Sequence, residues 1–241
     1  MSCPYGRLEA MNRQARGQLT KSSIIDAALE LFEAGGYEAT TMRAIAEKAD
    51  VSLGSAYYYF DSKEHLIQGF YVRAGDEQNA VVPDRVAGVS DLAERLIVCI
   101  DAWVEIMAKY RAFAAAFFRS AANPQSPLSP FSPESAPARA VGIDLLRWVI
   151  DGSDAEIPEP IRDELPELIW LYHMGVVLFW VYDGSEDSQA TKLLVRRTVP
   201  LLTAAITLAQ LPALRSMITD LMALVGDLKL LLTAPASSSS S

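Results

Sequence analysis

Thr41-Met42-Arg43-Ala44-Ile45-Ala46-Glu47-Lys48-Ala49-Asp50-Val51-Ser52-Leu53-Gly54-Ser55-Ala56-Tyr57-Tyr58-Tyr59 decides the reading of this chain. Thr41 caps a short helix that runs to about Ala49, with Ile45 and Ala49 inward. Asp50-Val51 break the pattern, and a second short helix fits Ser52 to Tyr59. Two short helices joined by so tight a turn have helix-turn-helix dimensions. Ala46 and Ala49 are small where the helices cross, and Val51 plugs the turn. The second helix presents Ser52, Leu53, Gly54, Ser55, Tyr57 and Tyr58 outward. Small residues allow close approach to a groove, hydroxyls suit phosphates and base edges, and Leu53 suits a thymine methyl. Three consecutive tyrosines cannot all face the core of an eight-residue helix, so at least one reaches outward. The competing reading is a small helical bundle whose tyrosines only cap the core.

The pattern stays helical on both sides. Upstream, Ile24, Ala27, Ala28, Leu31 and Phe32 recur at spacings of three and four between Thr20, an expected N-cap, and Gly35-Gly36, an expected stop. Arg7, Arg13, Arg16 and Lys21 form a basic arm over residues 1–19 and its junction. Two readings of that arm stand side by side, a disordered tail and an arm that reaches a neighbouring groove or the DNA backbone. Downstream, Ser62 caps a longer helix through Leu66, Phe70 and Arg73. Ser90 to Lys109 carries Leu92, Leu96, Ile100, Trp103 and Met107 on one stripe, and a short helix follows over Tyr110–Ala122. Asn123 to Pro133 holds Pro124, Pro127, Pro130 and Pro133, a density no helix interior survives, and is expected as a mobile loop. Pro133 is placed to open a helix to Asp151. Two long helices are expected at Arg162–Asp183 and Ser188–Gln210, the second kinked by Pro200. Ala213–Leu232 reads as a further apolar helix, and 233–241 as a disordered tail.

Composition bounds the function. The 241 residues are 51% hydrophobic and 21% charged, ordinary for a globular protein. The net charge of −9 argues against a broadly basic nucleic-acid protein. The charge is unevenly spread, however. Residues 1–22 hold four basic groups against one acid, 23–64 three against eight, and the remainder 14 against 21. Arg43, Lys63 and the arm sit near the proposed groove face, while Glu30, Glu33 and Glu38 are expected to point elsewhere. On a duplex, specificity for such a face would come from shape and hydroxyl contacts more than from bulk charge, with weak, salt-dependent non-specific binding. Cys3 and Cys99 are too few for a disulfide scaffold or a Cys-rich zinc site. His65 and His173 exclude a multi-histidine metal site. No nucleophile motif accompanies either histidine, so the chain does not read as an enzyme, and no catalytic residue, metal or cofactor is assigned. No secretory signal is seen, and the apolar stretch Leu168–Tyr182 falls short of about 20 residues for a membrane span. The expected location is the cytoplasm.

Ile24-Ile25-Asp26-Ala27-Ala28-Leu29-Glu30-Leu31-Phe32, Gly36-Tyr37-Glu38-Ala39-Thr40-Thr41-Met42-Arg43-Ala44-Ile45-Ala46, the stretch Ala49–Phe60, and Ser62-Lys63-Glu64-His65-Leu66 together resemble the N-terminal domain of tetracycline-repressor (TetR) family regulators. Ala56 departs from the larger aliphatic residue common there, which implies looser packing at that point. The resemblance implies an all-α fold: an N-terminal three-helix helix-turn-helix domain plus a larger C-terminal helical ligand-binding and dimerisation domain. It implies phosphate and occasional base contacts for Thr41 and Arg43. It places Ser52, Leu53, Gly54, Ser55, Tyr57 and Tyr58 on the recognition helix in the major groove, and makes Lys63 a phosphate-binding lysine. The last agrees with the free N–H groups of a helix N-terminus beside Ser62.

The family's layout pairs two long antiparallel helices with their copies in a second subunit, and residues 162–183 and 188–210 are the expected pair. Leu168–Val181 is apolar all round, which demands burial on several sides and favours a homodimer. The expected division is a flexible basic arm at 1–19, a DNA-binding domain at 20–66, an effector-binding and dimerisation domain at 67–232, and the tail. Trp103, Met107, Phe117, Trp148, Trp170, His173 and Met174 are the expected lining of a cavity for a small apolar effector, with ordinary core as the competing reading of each. His173, among apolar neighbours, needs a polar partner. The expected function is a ligand-responsive transcriptional repressor that leaves a palindromic double-stranded operator when its effector binds. A helical dimeric partner-binding protein that has lost DNA binding is the alternative.

Overall fold

The computed structural model is all-α across its described residues, which are 4–111, 113–115, 121, 123, 126–209, 220 and 223, with side chains described from Ala15 onward except at 160. In chain order the helices are α1 (Pro4–Gly35), α2 (Met42–Lys48), α3 (Leu53–Tyr59), α4 (Lys63–Arg85), α5 (Leu92–Met107), α6 (Ala136–Asp151), α7 (Glu159–Arg162), α8 (Leu165–Tyr182) and α9 (Gln189–Leu208). Single 3₁₀ turns lie at Ala108–Tyr110 and Glu186–Ser188. The expected helix 213–232, the tail at 233–241 and Phe117 lie outside the described residues, apart from positions 220 and 223.

The first helix differs most from expectation. It begins at Pro4, so residues 4–19 are helix and not a flexible arm. Pro4 costs nothing at a helix start, where its missing N–H has no partner to lose. The stretch that follows contains Leu, Glu, Ala, Met, Arg and Gln, which are good helix formers, and Gly6 and Gly17 alone oppose it. Thr20 is therefore interior. Its hydroxyl donates to the Arg16 carbonyl at 3.0 Å instead of capping the helix.

Several later boundaries also move. Helix α4 runs past Arg73 to Arg85, with Pro83 in its last turns, and ends before Gly88 at φ 78°. Helix α5 is capped by Asp91, whose Oδ1 accepts from Glu94 N–H at 2.8 Å; Ser90, the expected first residue of the helix, instead donates to Asp154 at 2.8 Å. Helix α6 starts at Ala136 and not at Pro133, because residues 126–135 are consumed by turns. Arg162 belongs to the one-turn α7, so the long helix starts at Leu165 with Pro166 in its first turn. Helix α8 is long and apolar enough, by length and composition, to cross a membrane, a signature that core helices share; Ile169, Trp170, His173, Val176 and Trp180 are buried.

The described chain divides into two compact units: Met1–Val81 with Ala102–Gly142, and Val82–Asp101 with Ile143–Ser241. The first is centred on aromatic residues. Phe70 meets Tyr110 and Phe113 edge-on at 4.8 and 5.8 Å, and Phe113 stacks on Phe32 at 6.0 Å. Arg73 ties three elements there, reaching Asp26 of α1 at 2.8 Å and the Tyr110 hydroxyl at 3.0 Å.

The second unit buries Leu96, Ile100, Ile169, Trp180, Val195 and Val199. Arg95 is buried among them. Its guanidinium donates to the carbonyls of Val149 and Val89 at 2.7 and 2.8 Å and lies over the Trp148 ring at 5.3 Å. A Cβ at Gly152 would collide with this guanidinium, so a larger residue there would have to displace Arg95 from its carbonyls.

Candidate nucleic-acid interface and effector residues

The turn between α2 and α3 is a C-capping motif. Val51 N–H donates to the Ala46 carbonyl at 3.0 Å, and Asp50 N–H to the Glu47 carbonyl at 3.2 Å. This is the paired 6→1 and 5→2 pattern of a Schellman cap. It requires the residue after the cap to be left-handed, and Asp50 takes that role at φ 54°. Aspartate is one of the few non-glycine residues that tolerate the region. The Val51 backbone thus folds back toward Ala46, and its side chain is half-buried.

Each short helix has its own N-cap. The Thr41 hydroxyl accepts from Ala44 N–H at 3.2 Å, and the Ser52 hydroxyl from Ser55 N–H at 3.0 Å. Without these bonds a seven-residue helix would leave its first N–H groups unsatisfied. Met42, Ile45, Ala46, Ala56 and Phe60 are buried beneath the pair. Ala56 is fully buried despite its small size.

The outward face of α3 holds what the sequence placed there. Tyr57 is 47% and Tyr58 82% exposed, and Tyr58 is braced edge-on against Tyr59 at 5.1 Å. Ser52 and Gly54 are exposed, and Leu53 and Ser55 half-buried. A Cβ at Gly54 would meet nothing closer than the Ser52 hydroxyl at 3.9 Å. Packing inside the chain therefore does not demand glycine there. Thr41 and Arg43 are exposed at the start of α2.

Lys63 is arranged differently. Its Nζ donates to the Tyr37 carbonyl at 2.7 Å and lies 4.4 Å from the centre of the Tyr37 ring. The Tyr37 hydroxyl donates to Glu64 at 2.6 Å. Burial first, and then this bond to a carboxylate, push the Tyr37 phenol well above its ordinary range. Burial would raise the Glu64 carboxyl, but the bonds from Tyr37 and Ser62 outweigh it and hold the group below its usual range. The first turn of α4 is thereby fastened to the α1–α2 connection. Of the acids expected to face away, Glu30 is paired with Lys48 at 2.6 Å.

The expected effector residues are spread over both compact units. Trp103 and Met107 belong to the first, half-buried and buried; Trp148, Trp170, His173 and Met174 belong to the second. Trp170 and His173 lie one turn apart on α8, both buried, and Met174 is half-buried. Trp148 is 45% exposed and packs on Arg95. Burial drives the His173 imidazole down to about 4.

Asp183 is a structural residue that no sequence signal marks. Asp183, at the end of α8, accepts from Ser185 N–H and Oγ at 2.8 and 2.6 Å, and from Thr191 N–H and Oγ1 at 2.9 and 2.6 Å. Burial would raise its carboxyl, but these four bonds hold it far below its usual range. They staple α8 to α9 across a connection whose Asp187 and Ser188 are left-handed at φ 49° and 57°.

A family model described as "Bacterial regulatory proteins, tetR family" matches residues 24–69. One described as "Tetracyclin repressor-like, C-terminal domain" matches 95–224, more than half of the chain. The HTH-type transcriptional repressor KstR of Rhodococcus jostii is 55% identical over 47 residues, which are 20% of this chain and 22% of that protein. The chain thus aligns with only about a fifth of that curated relative's length. Among solved structures, a TetR-family regulator from Syntrophomonas wolfei superposes with a TM-score of 0.62 at 18% identity, covering 78% of this chain and 96% of the other. The regulator FadR of Bacillus subtilis, solved in complex with stearoyl-CoA, gives 0.57 at 17% identity, covering 74% and 96%. At these identities the two structures speak for the fold alone. With both its N-terminal motif and the greater part of its length matched, the chain belongs to the tetracycline-repressor family of regulators.

Proposed function

We propose that the chain is a ligand-responsive DNA-binding transcriptional repressor that acts as a homodimer on a palindromic operator. The observation that carries this is the α2–α3 unit. It has two capped helices, a Schellman turn, and a face of Thr41, Arg43, Ser52, Leu53, Gly54, Ser55, Tyr57 and Tyr58 that is exposed or half-buried. Exposed aromatic hydroxyls beside small residues fit a helix laid in the major groove, where hydroxyls reach phosphates and base edges. Lys63 would exchange a carbonyl of Tyr37 for a phosphate, a stronger charge-assisted partner. The 55% identity to a repressor over 47 residues, and the family match at 24–69 that spans this region, support the reading. In this assignment residues 20–66 bind DNA, and 67–232 hold the effector and the dimer contacts.

Dimerisation through α8 and α9 is supported by Leu171, Leu178, Phe179, Tyr182, Leu193, Leu201 and Leu208, which stay exposed on these two helices. So many large apolar residues left exposed on two helices favour an interaction surface. A small apolar effector is supported by the buried aromatic residues Trp170 and Trp180 of α8.

A mobility-shift titration with duplex from upstream of the chain's own gene tests the proposal. The expected result is a retarded complex at low ionic strength that weakens steeply as salt rises. Absence of a salt-sensitive complex would overturn DNA binding and leave the partner-binding reading.

A further inference from the structure

Residues 126–135, Ser-Pro-Leu-Ser-Pro-Phe-Ser-Pro-Glu-Ser, repeat serine every third position, and proline follows the first three serines. Each serine N–H donates to the carbonyl three residues earlier: Ser126 to Asn123, Ser129 to Ser126 and Ser132 to Ser129, all at 3.0 Å, and Ser135 to Ser132 at 3.2 Å. In the three turns that begin at Ser126, Ser129 and Ser132, proline at the second position pre-sets φ, and its missing N–H is not called upon. The result is a ladder of linked turns, not a loose loop.

Serine hydroxyls close the inside of this ladder. Ser129, Ser132 and Ser135 are buried. Ser135 Oγ donates to the Ser129 carbonyl at 2.7 Å, and Ser132 Oγ to the Pro127 carbonyl at 3.0 Å. Arg139 of α6 donates to the Pro130 carbonyl at 2.8 Å.

One side chain from α4 grips both ends. Gln68 Nε2 donates to the Pro127 carbonyl and to Ser135 Oγ, each at 2.9 Å. Both amide hydrogens are used, while the buried Oε1 has no hydrogen-bond partner among the described residues. That orphaned acceptor offsets part of the gain, so the grip is modest and reversible. The next residue is Gly69, where a Cβ would lie 2.7 Å from the ring of Phe60, the residue that caps the end of α3. The gripped point of α4 is therefore adjacent to a tight contact with the residue that ends the recognition helix.

We propose that the Ser-Pro ladder is a latch on α4, and that Gln68 is the positioning residue through which the ladder sets the orientation of α3. The proposal rests on the DNA-binding reading. A latched α4 holds α3 ready for the groove. An unlatched one leaves orientational freedom that DNA binding must remove, and affinity falls.

The test is an anisotropy titration of the upstream duplex with the full chain, Gln68→Met, Ser135→Ala, Ser135→Thr and the Gln68→Met/Ser135→Ala pair. Amide hydrogen exchange over 53–60 and thermal melting are read on the same samples. The expected result is that each of Gln68→Met and Ser135→Ala weakens binding about tenfold, as loss of one or two hydrogen bonds predicts. The pair does no worse than either alone, Ser135→Thr keeps the wild-type affinity, and α3 exchanges faster in chains that melt as one transition. Equal affinity of the wild type and both single variants, or strictly additive losses, would overturn the latch. Should Gln68→Met not fold, Ser135→Ala against Ser135→Thr decides alone. A wild type that binds no upstream duplex instead overturns the DNA-binding reading; unchanged α3 exchange in the variants then overturns the latch as well.

Discussion

Helices α3 and α8 both leave large rings in solvent, yet their settings differ. On α3, Tyr57 and Tyr58 stand among Ser52, Gly54 and Ser55, at a capped N-terminus whose N–H groups carry partial positive charge. On α8, Leu171, Leu178 and Phe179 continue a helix that is apolar on every side and has no basic residue in its last turn. The first face offers hydroxyls and room for a close approach. The second offers only area, which another apolar surface can cover. Exposure of an aromatic ring therefore says little by itself, and its neighbours decide what it can bind.

The largest expected effect tests the α8 face. Phe179→Asp places a charge where the proposed dimer excludes water, and should weaken self-association by about a hundredfold or more. Sedimentation at micromolar concentration then shows a monomer where the parent chain is a dimer. An unchanged dimer would move the interface away from α8.

On α3, Tyr58→Ala should weaken binding to the upstream duplex by roughly tenfold or more while leaving the melting temperature nearly unchanged, because the ring makes few contacts within its own chain. A fall in stability with unaltered DNA affinity would mean that the tyrosine serves the fold.

Acidification separates the two regions in a third way. Burial holds the His173 imidazole of α8 at about 4 against an ordinary 6.5. Between those values the unfolded chain binds a proton that the folded chain refuses, so stability drops as pH falls through this window. Above 6.5 both states are neutral, and the penalty vanishes. His173→Gln should flatten this part of the melting-temperature profile. An identical profile in the variant would exclude the imidazole as its source.

The smallest effect is local to α3. Ser52→Ala removes the N-cap bond to Ser55 and should cost about 1 kcal/mol, measured by denaturant unfolding. A loss confined to this amount leaves the dimer intact, which sharpens the contrast with Phe179→Asp.

The helix-turn-helix was legible because every signal it needs is local. Thr41 and Ser52 are caps three residues before the N–H they satisfy, and the turn lies within reach of Ala46 and Glu47. The start of α1 was misplaced because Thr20 is a good cap that happens to be preceded by equally good helix formers. In the 123–135 connection, the prolines are legible in the sequence and the serines between them are not. Proline excludes a helix by itself, whereas a buried serine acquires meaning only from the amide of Gln68, 67 residues away from Ser135 in sequence. Asp183 escaped for a similar reason, since an aspartate after a helix looks like an ordinary solvated end until Thr191 is seen to fold back on it.

Periodicity, caps and breakers are short-range properties of the covalent chain. They determined that this protein is all-helical, where its two motif helices begin, and which side of α3 looks outward. Only tertiary structure decided that Lys63 turns to the Tyr37 carbonyl, that Arg95 is buried against Gly152, that Gln68 grips both ends of the Ser-Pro ladder, and that Phe179 remains exposed. Each of these depends on which distant backbone happens to offer a carbonyl, a hydroxyl or a gap. No spacing along the chain encodes that until the helices have packed.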